Sequence, residues 1–322
     1  MVELALKPSS LPVVRGRYTA NAPLGEVGWF HTGGRAEVLY KPADRADLVD
    51  FMVAVPPDIP VTVLGVLSNV IVRDGGVPGV VIRLGRDFAT IVMEEETLIR
   101  SGAAALDSSV SEFAAQSGVS ELEFLSGVPG TIGGALVMNA GAYGGEVKDI
   151  LVEATILHKT GEIQTLSACD LSMSYRHTDF PEGAIFLEAL FKGTQDFPSS
   201  ISSRLLAIRD RRRATQPIHA YTGGSTFANP SPDELVAAGF SPETKTWQLI
   251  HQVGGRGLQM GGAQISEKHT NFMINTGTAT AQDLEDLGEE IRRRVKDQCG
   301  IDLRWEVKRI GIPNSPDIPQ RS

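Results

Sequence analysis

Residues 126–135 read Ser-Gly-Val-Pro-Gly-Thr-Ile-Gly-Gly-Ala, and Asn139-Ala140-Gly141-Ala142-Tyr143-Gly144-Gly145 follows shortly after. Gly127, Gly130, Gly133, Gly134, Gly141, Gly144 and Gly145 leave this stretch too poor in side chains to build a core. What it can do is let a backbone approach a ligand closely and aim N–H groups at it. Several converging N–H dipoles suit a dianion, and pyrophosphate is the usual one. A set of tight turns and bulges is the alternative. The spacing is neither a dinucleotide fingerprint nor a P-loop, because no Gly-Lys-Ser/Thr follows.

Four further places carry groups that could do chemistry. Tyr175-Arg176-His177-Thr178-Asp179 sets an arginine beside a tyrosine. That arginine could clamp a carboxylate through two hydrogen bonds, or pair with Asp179. Gly223-Gly224-Ser225-Thr226-Phe227 puts a hydroxyl on a flexible backbone, but Phe227 rules out a Gly-x-Ser-x-Gly nucleophile elbow. Glu306 lies in an alternating stretch, with Leu303, Trp305 and Val307 on one face and Arg304, Glu306 and Lys308 on the other. Arg209, Arg211, Arg212 and Arg213 form the densest positive run in an acidic chain. They are either a solvated helix face or a seat for a phosphorylated ligand. His251 and His269 lack partners at ligand spacing, so no metal site is predicted.

The elements that must position these groups alternate between strands and helices. Residues 1–22 read as a loosely structured arm with a short helix. A strand is expected over 35–40. Asp44 caps the helix that follows, and Ala46, Leu48, Val49, Met52 and Val53 give it an apolar stripe. Short strands are expected over 61–64, 70–72, 80–84, 90–93 and 97–102, then a helix over 106–117. Beyond the glycine-rich block come strands over 152–157, 162–166 and 185–191 and a long polar helix over 199–213 that Pro217 ends. Helices over 232–238 and 246–252 and a strand over 272–275 follow. The best helix of the chain spans 280–299, with Ala281, Leu284, Leu287, Ile291 and Val295 on one face. A last strand over 304–310 precedes a disordered tail over 313–322.

Composition bounds the class. The 322 residues suffice for two or three domains, and 42% hydrophobic with 21% charged residues is ordinary for a soluble globular protein. A net charge of −9 argues against nucleic-acid or anionic-membrane binding. No apolar run reaches membrane-span length, and the N-terminus lacks the features of a signal peptide. Two distant cysteines fit a reduced cytoplasm.

In this order the segments resemble the UDP-N-acetylenolpyruvoylglucosamine reductases. The matching pieces are Trp29-Phe30-His31-Thr32-Gly33-Gly34, Gly65-Val66-Leu67-Ser68-Asn69, residues 126–135 with 139–144, Tyr175-Arg176, and Arg212 before Thr215-Gln216-Pro217. They continue with Gly224-Ser225-Thr226-Phe227 and Asn229-Pro230, Gly262-Ala263-Gln264 with Ser266-Glu267-Lys268-His269, and Glu306-Val307 with Ile310-Gly311. Together they span residues 23–311. The resemblance implies an α+β protein with a two-subdomain FAD-binding fold of the vanillyl-alcohol-oxidase (PCMH-like) kind, over 1–84 and 85–213, and a substrate-binding domain over 214–312. The short interval between Arg176 and Ser225 matches the form of the family without an extra tyrosine-bearing loop. Leu67, Ala228 and His31 depart from the common Gly, Lys and Arg.

It also implies the site. Gly65, Val66, Leu67, Ser68, Asn69, Ser126, Gly127, Pro129, Gly130, Thr131, Gly133, Gly134, Ala135, Asn139 and Gly141 are expected to hold non-covalent FAD. Arg176, Ser225 and Glu306 match the catalytic positions. Tyr175, Arg212, Asn229, Gln264, Lys268 and His269 are expected on the sugar nucleotide. The implied reaction reduces an enolpyruvyl ether with NADPH as co-substrate, in a cytoplasmic monomer that serves peptidoglycan synthesis. Arg176 and a protonated Glu306 would stabilise the enolate-like charge, and Ser225 would protonate C2. An FAD oxidase and a non-enzymatic nucleotide-binding regulator are the two other classes. The oxidase lacks an identifiable covalent-flavin residue, and the regulator has no use for Arg176, Ser225 and Glu306 together.

Overall fold

The computed structural model describes residues 6–314. They form two compact units. Unit 1 comprises the described residues up to Ala22, Glu37–Val66 and Gly79–Arg212. Unit 2 comprises Pro23–Ala36, Leu67–Pro78 and the described residues from Arg213 onward.

Unit 1 is built on two larger sheets, beside the two-stranded pairs Gly141–Ala142 with Gly145–Glu146 and Val119–Ser120 with Thr194–Gln195. The first orders the strands Arg17–Ala22, Ala36–Lys41, Val77–Ile82 and Val61–Val63. Its last pair is parallel, with Val61 opposite Val80. The helix Arg45–Ala54 covers it, placing Leu48, Phe51 and Met52 in the core with Tyr40 and Val80. Asp44 starts that helix as the sequence predicts, its carboxylate accepting the Asp47 N–H at 2.9 Å. Residues 17–22 are a strand where a loose arm was expected. The reason is aromatic packing: the Tyr18 ring lies 5.1 Å from Tyr40 and 6.3 Å from Phe51. The expected short helix of the arm is the single 3-10 turn Pro8–Ser10.

The second sheet is antiparallel, in the order Ile163–Ser167, Leu151–Leu157, Ile185–Lys192, Leu98–Gly102 and Ile91–Glu95. Ile185–Lys192 is central and apolar almost throughout, because Val110, Ala114, Ile132 and Leu136 join Phe186 and Phe191 in one buried cluster. Two of those four come from the helix Asp107–Gln116 and two from the helix Ile132–Val137. The second helix begins inside the glycine-rich block, which the sequence reading treated as loop. Ile132, Ala135 and Leu136 are its buried face, and their spacing is too brief to announce a helix.

Unit 2 is built on the helix Ala281–Cys299. Thr280 Oγ1 accepts the Asp283 N–H at 3.0 Å, the Asp283 carboxylate accepts the Thr280 N–H at 3.0 Å, and Gly300 at φ 70° ends the helix. The predicted stripe of Ala281, Leu284, Leu287, Ile291 and Val295 is wholly buried, in a cluster with Ala263, Ile265 and Met273 of the strands Ala263–Ile265 and Met273–Asn275. Gly288 lets the Trp305 indole lie on the helix: a Cβ there would come within 2.1 Å of the ring. The last strand is Lys308–Ile310, shorter than expected, and pairs in parallel with Val70–Val72. The amides of Glu306 and Val307 converge on one carbonyl, Thr226 O, and so break the regular ladder. Of the expected tail, residues 315–322 lie outside the described part. Among the described residues, no helix is long and apolar enough to cross a membrane.

Asp47 holds the start of unit 1 together. It is buried and accepts bonds from the Arg15, Gly16 and Ala43 amides at 2.6, 2.9 and 2.9 Å and from the Tyr40 hydroxyl at 2.8 Å. Burial alone would push its carboxyl up, but these donors outweigh burial and hold it below the ordinary value. Such a group stabilises the fold above the unfolded pKa of about 3.9, and the contribution is lost as pH falls through the lower folded value. Asp47→Asn should therefore cost about 1.5–3 kcal/mol near neutral pH. Its deficit relative to wild type should shrink on acidification below about pH 4. Denaturant titrations at several pH values check this, and a deficit independent of pH would contradict it.

Candidate functional site

In unit 1 the glycine-rich segment is clamped to the turn after Leu98–Gly102. Gly133 N–H donates to Ala103 O at 2.8 Å, Ile132 N–H to Ala105 O at 3.0 Å, and Asp107 N–H to Gly130 O at 3.2 Å. Leu106 and Thr131 thus face each other as an antiparallel bridge. Ala135 N–H closes on Thr131 O at 2.9 Å. Among the described residues, the amides of Thr131 and Gly134 make no hydrogen bond. They sit at the start of the helix Ile132–Val137, where N–H dipoles favour an anion.

The two segments predicted to hold one ligand meet here. A Cβ on Gly65 would stand 2.5 Å from Thr131 Oγ1, so only glycine lets the turn at 65–66 come so close. Gly127 is bare for a similar reason: a Cβ would fall 2.5 Å from Cε2 of Tyr143. Ser126 turns inward, its hydroxyl donating to Glu123 O at 2.7 Å. Asn139 is fully buried, and its amide is engaged inside the protein. Nδ2 donates to Glu146 Oε2 at 2.7 Å and to Ser174 O at 3.0 Å, and Oδ1 accepts the Lys148 N–H at 2.9 Å. It braces the block against the Ser174 turn.

Arg176 stands on that turn, which is closed by Ser174 N–H to His177 O and His177 N–H to Ser174 O, at 2.9 and 3.1 Å. Its φ of 56° is a region that favours glycine and costs other residues about 1–2 kcal/mol. Nη2 donates to Gly141 O at 3.0 Å, and the guanidinium lies 5.0 Å from the Tyr175 ring centroid. A strained backbone holding an anchored cation is a feature of functional sites. The helix Pro198–Thr215 carries the arginine run. Arg209 and Arg212 are its half-buried members, while Arg211 and Arg213 are exposed. Burial pushes the Arg212 guanidinium below its ordinary value, with Tyr143 opposing. Arg211 lies 5.6 Å over the Tyr143 ring, and the Tyr143 hydroxyl is buried without a partner among the described residues. No feature of the sequence gives Tyr143 a role. Its ring forms the wall beside Gly127.

In unit 2, backbone pairing brings Ser225 and Glu306 together. Glu306 N–H donates to Thr226 O at 2.9 Å, Ala228 N–H to Arg304 O at 2.9 Å, and Phe227 bridges Trp305. Ser225 itself bridges Phe272. Asn69 Nδ2 donates to Glu306 O at 3.1 Å, and Lys308 N–H to Asn69 O at 3.0 Å. Leu67 is buried at φ 58°, where glycine would be free of strain. His31 stacks on Tyr221 with ring centroids 4.1 Å apart. Asn229 Oδ1 accepts the Thr246 N–H at 3.1 Å. Gln264 lies on Ala263–Ile265, its Nε2 3.4 Å from Gly257 O. Lys268 Nζ donates to Arg213 O at 2.6 Å. His269 packs edge-on against Phe272 at 4.7 Å, and burial pushes its imidazole down, toward the neutral form.

The model of the FAD binding domain matches residues 36–167, and that of the UDP-N-acetylenolpyruvoylglucosamine reductase C-terminal domain matches residues 216–310. The UDP-N-acetylenolpyruvoylglucosamine reductase of Parvibaculum lavamentivorans is 53% identical over 94% of each chain. That of Rhodospirillum rubrum is 53% identical over 94% of this chain and 92% of its own. The chain belongs to the UDP-N-acetylenolpyruvoylglucosamine reductase family. The crystal structure of UDP-N-acetylenolpyruvylglucosamine reductase from Thermus caldophilus superposes with a TM-score of 0.77 at 29% identity, over 93% of this chain and 100% of the other. The protein is an FAD-dependent oxidoreductase with the α+β architecture the sequence implied: an FAD-binding fold joined to the reductase family's C-terminal domain.

The contact of Gly127 with Tyr143 can be tested apart from catalysis. Gly127→Ala should overpack the Tyr143 ring and cost about 1–3 kcal/mol. In a Tyr143→Ala background the same change should cost little, because the obstructing ring is gone. Unfolding free energies of the four proteins, read without flavin, close the cycle. Additive effects would mean that the ring and Gly127 do not touch.

Proposed function

We propose that this chain reduces UDP-N-acetylglucosamine enolpyruvate to UDP-N-acetylmuramate with NADPH, in the cytoplasm, for peptidoglycan synthesis. The observation that carries this reading is the backbone pairing of Glu306 with Thr226, which brings the chain at Ser225 next to the chain at Glu306 in a protein with an FAD-binding domain. When bound, FAD relays hydride from NADPH to the vinyl carbon C3 of the substrate.

Each part of the chain has its own work. Residues 1–84 and 85–213 serve as the FAD-binding subdomains and 214–312 as the substrate-binding domain. The N–H groups of Thr131 and Gly134 would hold the FAD pyrophosphate, with Gly65, Val66, Gly127, Pro129, Gly130, Gly133, Ala135 and Gly141 giving the backbone room. Ser126 and Asn139 hold that segment in shape through their internal bonds. Leu67, Ser68 and Asn69 complete the flavin-holding turn. FAD is held without a covalent bond.

Arg176, with Tyr175 beneath it, binds the substrate carboxylate and stabilises the negative charge that develops at C2. Its anchoring on Gly141 O limits the reorganisation this needs. Glu306 keeps its proton and offers that O–H as a hydrogen bond to the same developing charge; an ionised carboxylate there would repel it. Ser225 Oγ gives its proton to C2, and the strongly basic enolate makes so weak an acid sufficient. Arg212, Asn229 and Gln264 bind the sugar nucleotide. Lys268 and His269 shape the same wall, given that their own polar atoms already serve the fold.

Ser225→Ala should leave reduction of the bound flavin by NADPH nearly intact. It should slow flavin reoxidation by the enolpyruvyl substrate by roughly 10²–10⁴-fold. Stopped-flow flavin absorbance separates the two halves. Equal slowing of both, or of neither, would return Ser225 to a turn role.

A further inference from the structure

Asp107 is the most unusual titratable residue of unit 1, and nothing in the mechanism uses it. It is the first residue of the helix Asp107–Gln116, it has no exposed surface, and neither carboxyl oxygen has a hydrogen-bond partner among the described residues. Ala105 and Val110, two and three residues away along the chain, belong to the apolar cluster of the large sheet. Leaving a buried polar group unsatisfied is costly, so native proteins supply a partner. Its backbone N–H is bound to Gly130 O at 3.2 Å, so the residue backs onto the segment that holds the flavin nucleotide.

We propose that Asp107 is a further cofactor-binding residue, whose carboxyl exchanges a hydrogen bond with a sugar hydroxyl of FAD. The chemistry selects that partner. The pyrophosphate carries no proton to give, whereas the ribityl and ribose hydroxyls both donate and accept. The form of the carboxyl agrees: burial pushes it well above the ordinary carboxylate range, and a neutral acid can lie near a pyrophosphate without repulsion. The orphaned oxygens and the clamp on Gly130 are independent observations that point to the same ligand. The inference rests on the flavin reading of the 126–135 segment.

The test uses protein purified with its flavin and then stripped of it. Asp107→Leu should weaken FAD binding about tenfold, the loss of one hydrogen bond. The flavin-free variant should be no less stable than wild type, because an orphaned polar group has been replaced by an apolar one. Asp107→Asn, which keeps a donor and an acceptor, should bind FAD within about threefold of wild type. Infrared difference spectra give a readout that does not depend on Asp107→Leu folding. The protonated carboxyl C=O band, identified by its loss in Asp107→Asn, should shift to lower frequency when FAD is added to the stripped wild type. A band that does not move, or an Asp107→Leu protein that binds FAD as tightly as wild type, would overturn the proposal. Wild-type protein that fails to take up FAD would instead overturn the flavin reading itself.

Discussion

The arrangement depends on one constraint: a glycine-rich backbone must be held rigid without side chains of its own. Three backbone bonds meet it, from Gly133 to Ala103, Ile132 to Ala105 and Asp107 to Gly130. Each fixes one side of the segment to the core. The same geometry leaves the amides of Gly130, Thr131 and Gly134 without an acceptor among the described residues. Rigidity and vacancy are thus two results of one pairing pattern. Gly65 extends it, because its missing side chain admits the neighbouring turn.

The rest of unit 1 braces this clamp. Asn139 ties the glycine-rich block to the Ser174 turn, and that turn carries Arg176 at a positive φ. The guanidinium then returns to Gly141 O. The loop is closed on itself, so the cation is oriented before any ligand arrives. A cation fixed in this way needs little reorganisation to meet a negative charge. In unit 2 the same principle acts through strands. Ser225 and Glu306 are far apart in sequence, but a short irregular pairing sets their backbones side by side, and Asn69 pins the carbonyl of Glu306.

Much of the fold was legible in the residues. The Thr280 and Asp44 caps and the stripe from Ala281 to Val295 state their helices outright. The helix Ile132–Val137 was not legible, since two of its six residues are glycine and only tertiary burial makes it a helix. The strand Arg17–Ala22 was hidden for a like reason: Tyr18 finds its aromatic partners only in the folded chain. The site divided in the same way. The glycine-rich block reads as a cradle or a set of tight turns, and Arg176, Ser225 and Glu306 each read as ordinary until the order of all the segments is weighed together. Asn139 was legible as part of the block, yet its bracing part follows from partners at Glu146 and Ser174 that no spacing reveals. Asp107 gave no signal, because an acid at a helix start is what any solvated helix prefers.

The central claim is that the clamp uses the inward amides and leaves Thr131 and Gly134 for the FAD pyrophosphate. Residue-resolved amide hydrogen exchange tests it most directly. In flavin-free protein, Ile132 and Gly133 should be protected while Thr131 and Gly134 exchange rapidly. Adding FAD should slow Thr131 and Gly134 sharply and leave the other two almost unchanged. Thr131 and Gly134 already protected without FAD, or still exchanging freely with it bound, would contradict the account.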